Sequence, residues 1–328
     1  MTMSNKPVRL LVSALARVQI EEDVASVMGH RAYQFVLPND AHLPSEGCDA
    51  AFVSRDVTST STKQDVLPST QAFYDAMRAS LNLRWVHVHS AGIDRPIYTE
   101  LQSRGVRVTP STGSNAAVVA QAALAGLLAL SRRLPLLMRA QHMQHWQPLH
   151  GHLMPRDLAG QRITLVGWGA IGQTLAQYAQ MLGMQVSVAR HSGSAIDGVL
   201  NTIGYQDLIQ VLPATDWLVL ACPLSDATAG LIGAEQLAAL PQGAHVINVS
   251  RGEVVDEQAL IACLQSGHVA GAYLDVFAHE PLPASSPLWA HPNVIATPHC
   301  AGFSDGNTKR VAKAFIDKLR VALDSGWI

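Results

Sequence analysis

Three polar residues in the last third of the chain stand where chemistry could be done. They are Arg251 in INVSRGEVVDEQAL (247–260), Glu280 in LDVFAHEPLP (274–283) and His299 in NVIATPHCAG (293–302). Each lies at or just beyond the end of an apolar, strand-like run. An arginine can hold a carboxylate through its forked donors, and a histidine can move a proton near neutral pH. A glutamate can orient that histidine and favour its charged form. Open parallel sheets bind ligands at the carboxyl ends of their strands, so strands ending at one edge would gather all three side chains.

Upstream, Gly167-Trp168-Gly169-Ala170-Ile171-Gly172 is a GxGxxG sequence that follows an apolar strand, RITLVGW, and opens a helix. In that context Gly167 allows the tight turn and Gly169 a close approach to a pyrophosphate. Gly172 lets helix and strand pack closely, while the helix N-terminus beginning at Ala170 and Ile171 meets the negative charge. The spacing predicts a dinucleotide site. The second strand, MQVSVAR, runs into VARHSG (188–193), and Arg190 falls eighteen residues beyond Gly172. An acid commonly holds the adenine ribose there and would repel a 2′-phosphate, whereas Arg190 can clasp one. Ser192 adds a hydroxyl donor and His191 a ring donor or stacking surface. NADP(H) is therefore expected over NAD(H). With Arg251, Glu280 and His299 the chain holds the parts needed to reduce a 2-keto acid by hydride transfer.

Strands and helices must position these groups. From RITLVGW onward the pattern alternates: a helix over 171–182, MQVSVAR, a short helix near 205–211, DWLVLAC, a helix over 233–240, and AHVINVS. A helix capped by Asp256, AGAYLDVF, NVIATPH and an amphipathic helix over 305–324 complete the series. Such alternation means right-handed βαβ units and a parallel sheet buried on both faces. Before it, strands at 8–13, 50–53, 85–89 and 106–110 and a helix over 70–80 read as a smaller α/β unit. A long Ala-rich helix, NAAVVAQAALAGLLALSRRL, starts at a Ser114 or Asn115 cap and is limited or kinked by Pro135.

The chain has 328 residues, 48% hydrophobic and 15% charged, which suits a globular protein of two domains with sizeable cores. A formal charge of −2 points to neither nucleic acid nor an anionic membrane. The apolar stretch around 116–130 is too short to span a bilayer. Near the N-terminus, RLLVSALA reads as a first strand rather than a signal segment, because Arg17 follows it closely. Cys48, Cys222, Cys263 and Cys300 form no CxxC pair, which suits reduced thiols in the cytoplasm.

In order and spacing, GWGAIG, NVSRGEVVDEQAL, LDVFAHEP and NVIATPH resemble the motifs of the D-isomer-specific 2-hydroxyacid dehydrogenases, over about residues 86–302. The resemblance implies two Rossmann-like lobes, one flavodoxin-like for substrate and one doubly wound for cofactor, with a cleft between them. The expected division is 1–107 with 299–328 for substrate and 108–298 for dinucleotide. It makes Arg251 the substrate-binding arginine, His299 the acid/base and Glu280 its partner. Asp275 matches the acid near the nicotinamide carboxamide. SAGID (90–94) matches the loop whose backbone N–H groups hold the substrate carboxylate, with Ala91 and Gly92 as donors. Cys222 and Pro223, and Val249 and Ser250, at the ends of the DWLVLAC and AHVINVS strands, complete the cofactor set together with His299. A homodimer is implied, with the 115–133 helix and the 140–155 stretch as its elements. Arg190, His191 and Ser192 resemble the NADP(H)-preferring glyoxylate/hydroxypyruvate reductase type. Glu280 stands against formate dehydrogenases, which carry Gln there, and the end of the chain soon after the last helix leaves no regulatory extension of the phosphoglycerate dehydrogenase kind. Gln121 stands where many members have Glu, and Cys300 where an aliphatic residue is usual.

His87 and His89 on one strand face, and His142, His145, His150 and His152, lack the carboxylate or Cys spacing of a metal site and are expected as surface or interface histidines. His89 abuts the SAGID loop. Asp94 reads as a turn residue and Trp168 as packing. The alternative from another class is an NAD(P)H-sensing regulatory protein of co-repressor type, which no basic arm or disordered tail supports. A dehydrogenase with another substrate or with NAD preference is the nearer alternative. No tyrosine is followed four residues later by Lys, which argues against a short-chain dehydrogenase.

Overall fold

Short apolar runs such as AAFV (50–53) and WVHV (85–88) are buried at every position, because both faces of their sheet are covered. The structure is a computed structural model and describes residues 6–38 and 47–328. The chain divides into two compact units, residues 1–114 with 304–328, and residues 115–303. Both are parallel-sheet α/β units, as the strand–helix rhythm predicts.

The first unit runs β1 (Val8–Leu11), α1 (Ala14–Met28), β2 (Tyr33–Val36), β3 (Ala50–Val53), α2 (Arg55–Thr58), α3 (Pro68–Ala79), β4 (Trp85–Val88), α4 (Pro96–Ser103) and β5 (Arg107–Pro110). Its five parallel strands lie in the order β2-β1-β3-β4-β5. The second unit runs α5 (Ala116–Ser131), α6 (Leu134–His142), β6 (Arg162–Val166), α7 (Ala170–Met181), β7 (Gln185–Ala189), β8 (Asn201–Ile203), β9 (Trp217–Leu220), α8 (Ala234–Ala239), β10 (Ala244–Asn248), α9 (Glu257–Gln265), β11 (Val269–Leu274) and β12 (Val294–Ala296). Its seven parallel strands lie in the order β12-β11-β10-β9-β6-β7-β8. Then α10 (Asn307–Asp324) returns to the first unit.

Several elements differ from the sequence expectation. The segment RLLVSALA is a strand only to Leu11; Ser13 accepts the Ala16 N–H at 3.0 Å and turns SALA into the start of α1. The long Ala-rich helix ends at Ser131, and Pro135 opens α6 instead of closing α5, with a bend of 69° between them. The strands β2 and β8 and the short helix α2 were not expected. No single helix among the described residues is long and apolar enough to cross a membrane.

One face of the first sheet packs on α1 and α10, where Phe315 stacks between Phe52 (centroids 4.5 Å) and Trp85 (5.5 Å). In this core His87 is fully buried, which corrects its expected surface or interface role. Its Nδ1 and Nε2 meet the hydroxyls of Thr109 and Ser111, each at 2.9 Å. Burial, with the charge of Lys318 second, pushes the imidazole down to about 3.

That shift has a stability consequence. An unfolded histidine titrates near ~6.5, so below that pH the unfolded chain takes up a proton that folded His87 refuses. The stabilisation from a neutral His87 is complete above about pH 6.5 and lost progressively toward pH 3. At about 1.4 kcal/mol per pH unit, the loss from pH 6.5 to 5 is about 2 kcal/mol. Burial also pushes His89 down to about 3 and His245 to about 4, so they add to the slope that urea unfolding should show from pH 7 to 5, and His87→Gln should reduce that slope by about 1.4 kcal/mol per pH unit. Identical slopes in the two proteins would count against a neutral buried His87.

Candidate active site

In the second unit the chain leaves β6 toward β7 and later returns to place β9 on the other side, so the β6/β9 boundary is the switch point of the sheet. The glycine motif sits there. Gly167 has φ +109, and a Cβ on it would lie 2.7 Å from the backbone N of Cys222, so the loops after β6 and β9 close on each other. A Cβ on Gly172 would lie 2.2 Å from the Gly167 carbonyl oxygen, which is the close approach the motif requires. Gly169 is different: it heads α7 with no side-chain cap, and a Cβ there would meet nothing within 4 Å. That open space beside the first turn of a helix is a cradle that fits a pyrophosphate. Ala170 and Ile171 begin that first turn. Trp168 packs against the core beside it.

Arg190 is the first residue beyond β7, its N–H donating to the Ile203 carbonyl of β8 at 3.0 Å. His191 meets Tyr205 edge-on at 6.4 Å between centroids, and the Ser192 hydroxyl accepts the Ser194 N–H at 3.4 Å. On the other side of the switch point, Cys222 is buried and its thiol is pushed up to about 11 by that burial, while Pro223 is exposed. Val249 and Ser250, beyond β10, are buried.

The ends of β10, β11 and β12 carry the polar cluster. At the last residue of β10, Asn248 accepts from Ser250 N–H (3.0 Å) and Oγ–H (2.8 Å) and donates Nδ2–H to the Arg251 carbonyl at 3.0 Å. It thereby shapes the turn that presents Arg251, whose Nη1 donates to the Ser250 carbonyl at 2.7 Å. Gly252 follows, and a Cβ on it would lie 1.9 Å from the Phe277 carbonyl carbon. The Arg251 turn and the loop carrying Glu280 thus touch backbone to backbone.

His299 follows β12 in a left-handed conformation, φ 51. Its N–H donates to the Asp275 carbonyl at 2.8 Å, and its Nδ1 meets Glu280 Oε2 at 2.8 Å. The His299 side chain is 47% exposed. Burial pulls the Glu280 carboxyl upward. The His299 hydrogen bond and charge, the Phe277 N–H and the charge of Arg251 outweigh it, so the group ends below the usual carboxylate range. Arg251, Glu280 and His299 therefore share one electrostatic neighbourhood.

Asp275 is 2% exposed and accepts Thr297 Oγ–H at 2.6 Å, Cys300 N–H at 2.9 Å and Ala301 N–H at 3.0 Å. It holds the His299 turn from below, a role the sequence reading did not include. Burial raises its carboxyl despite these donors. Burial, and then the charge of Asp275, raises the Cys300 thiol, which disfavours the reactive thiolate. Asn248, Gly252 and Thr297 were missed as supports; the signal for them was only their position beside Arg251 and His299. Gln121 is exposed. Asp256 caps α9 through the Ala259 N–H at 3.0 Å.

In the first unit, Ala91 and Gly92 lie in the loop after β4, where Ser90 Oγ–H donates to the Gly92 carbonyl at 2.7 Å. Asp94 forms an ion pair with Lys63, more than a turn residue does. His89 is held by its N–H to the Val53 carbonyl (2.9 Å) and its Nε2 to Thr58 Oγ1 (2.8 Å).

A doubly wound parallel sheet with a glycine-rich turn at its switch point, and an Arg–Glu–His set along the same edge, defines an oxidoreductase that binds a nicotinamide dinucleotide. The chain belongs to the D-isomer specific 2-hydroxyacid dehydrogenase family, whose NAD binding domain matches residues 124–301. It is 37% identical over 245 residues to (S)-sulfolactate dehydrogenase of Chromohalobacter salexigens, covering 74% of this chain and 78% of the relative. It is 35% identical over 244 residues to glyoxylate/hydroxypyruvate reductase B of Yersinia enterocolitica, covering 74% of each. Among solved structures, the D-isomer specific 2-hydroxyacid dehydrogenase of Xanthobacter autotrophicus Py2, in complex with NADPH and MES, matches with a TM-score of 0.75 at 30% identity, covering 98% of this chain and 95% of that one. The protein is thus an oxidoreductase of the 2-hydroxyacid class.

The contact at Gly252 gives a test of the geometry. Gly252→Ala should force the Arg251 and Glu280 loops apart and destabilise the protein by about 1–3 kcal/mol, the scale of overpacking. Urea unfolding measures it, and a wild-type midpoint would contradict the backbone contact.

Proposed function

We propose that the protein uses NADPH to reduce a small 2-keto acid of the glyoxylate or hydroxypyruvate kind to the 2-hydroxy acid. The observation that carries this reading is the His299 Nδ1–Glu280 Oε2 contact of 2.8 Å beside the charge of Arg251. When bound, the dihydronicotinamide supplies the hydride for the keto carbon. Glu280 keeps the ring nitrogen Nδ1 occupied, so His299 presents Nε2 and delivers its proton to the carbonyl oxygen. Arg251 holds and polarises the substrate, and the backbone N–H groups of Ala91 and Gly92 receive its carboxylate. Gly167, Gly169, Gly172 and the first turn of α7 take the pyrophosphate. Cys222, Pro223, Val249, Ser250 and Asp275 belong to the nicotinamide side.

The cofactor preference rests on Arg190, with His191 and Ser192 beside it: no acid stands at the end of β7, and a guanidinium there favours a 2′-phosphate. The relatives' names leave the substrate between acids with one anionic group, as in glyoxylate, and two, as in sulfolactate. A cytoplasmic setting agrees with four free cysteines. A homodimer agrees with exposed apolar side chains on α6 and just after it, including Met138 (65%), Met143 (68%) and Trp146 (91%).

Oxidation of NADPH and NADH with a panel of 2-keto acids tests the reading, which fails if none is turned over. Arg190→Ala should weaken NADPH binding by about 1.5–3 kcal/mol, the worth of a charged hydrogen bond, and barely change NADH binding. Equal losses for the two cofactors would contradict the phosphate contact. His299→Ala should slow turnover about 10²–10⁴-fold, and a variant near the wild-type rate would remove His299 from the chemistry.

A further inference from the structure

Strands β7 and β8 pair with Ala189 opposite Ile203, so the chain leaves both at the same level. The turns that follow are locked together. Arg190 N–H donates to the Ile203 carbonyl at 3.0 Å, and the Gly193 N–H returns to the Arg190 carbonyl at 3.3 Å. Gly193 has φ +60, and a Cβ on it would lie 3.0 Å from the Gly204 backbone N. Two residues beyond the last paired positions stand His191 and Tyr205, whose rings meet edge-on at 6.4 Å between centroids.

Tyr205 is held along its ring and free at its tip. The ring is half-buried against the core that contains Leu208, Leu220 and Cys222. Its hydroxyl has no hydrogen-bond partner among the described residues and is not sealed from solvent. Arg190 is half-buried too, and its guanidinium has no hydrogen-bond or ion-pair partner among those residues. The phenol lies within electrostatic reach of Arg190 after β7 and of Cys222 after β9. Those two residues bracket the glycine turn after β6, because the strand order there is β9-β6-β7-β8. Tyr205 therefore extends from the end of β8 toward the switch point, and a guanidinium and a phenol stand there without an acceptor.

The phenol stays a donor. Burial, and then Cys222, push it up to about 12 against the pull of Arg190, so it keeps its proton at neutral pH. Packing alone asks only for the ring, which phenylalanine would supply. A hydroxyl beside an unpaired guanidinium suits an acceptor, and a phosphate brings three strong acceptor oxygens.

We propose that Tyr205 donates its phenolic O–H to the 2′-phosphate of NADP(H) beside Arg190, and that His191 braces the Tyr205 ring instead of meeting the phosphate. The inference rests on the reading of Arg190 as the phosphate clasp. It makes cofactor choice a property of two turns, one after β7 and one after β8. Arg190 supplies the charge. Tyr205 supplies a directed neutral donor, which counts for more against a phosphate oxygen than against a ribose hydroxyl, because hydrogen bonds to ionised groups are roughly twice as strong.

The test is calorimetric titration of the full chain with adenosine 2′,5′-bisphosphate and with 5′-AMP. These ligands differ by the 2′-phosphate alone and carry no nicotinamide, and the ratio of their affinities is the readout. Wild-type protein should favour the bisphosphate. Tyr205→Phe, which keeps the ring on the core and against His191, should lower the ratio about tenfold, the lower end for a hydrogen bond to a charged group. A parallel fall for both ligands, or no change in either, leaves the ratio at the wild-type value and overturns the assignment of Tyr205, with Arg190 still standing as the clasp. Equal wild-type affinity for the two ligands overturns both.

Discussion

The carboxylate of Asp275 is sealed from solvent at the end of β11, and the candidate site hangs from it. Such a charge is costly to bury unless donors surround it, and here one hydroxyl and two backbone N–H groups do so. All three come from residues 297–301, the turn that carries His299. A non-glycine residue in the left-handed region costs on the order of 1–3 kcal/mol and persists only where its surroundings over-determine it. The bonds to Asp275 on both sides of His299 supply that determination. Three-residue β12, only partly buried, does not hold the histidine rigidly by itself.

The remaining geometry follows from strand direction. In a parallel sheet all carboxyl ends lie on one edge, so every turn leaving β6, β7, β9, β10, β11 and β12 faces the same side. The strand order then sorts chemistry along that edge. Arg190 lies on the β7 flank, the glycine turn at the β6/β9 boundary, and Arg251, Asp275 and His299 toward β12. One extended ligand with an anionic middle can meet them in that sequence.

Much of this was legible in the chain. GWGAIG between a strand and a helix, and the polar residues ending INVSRG, LDVF and NVIATPH, marked the turns that the structure brings to one edge. The strand–helix alternation from 162 onward was equally plain, because buried parallel strands are nearly continuous apolar runs. Helix α1 was not legible. Its buried positions, Ala16, Ile20, Val24 and Met28, form a narrow stripe, and Val18 on the outside is 77% exposed, so the pattern is blurred. Pro135 was misread because proline suits the first turn of a helix as well as it ends one. His87 was misplaced because its two hydroxyl partners, Thr109 and Ser111, lie more than twenty residues away.

Residue types and local spacing alone determined the fold class, the glycine turn between β6 and α7, the basic character of the β7 end and the choice of Arg251, Glu280 and His299 as candidates. These are properties of short segments, set by backbone sterics and hydrophobic period. Only the tertiary structure decided what depends on distant partners. Gly252 is glycine because the backbone at Phe277 presses against it. Asp275 serves the turn at 297–301. No local pattern encodes those contacts, since each is made by residues brought together only when the sheet closes its order.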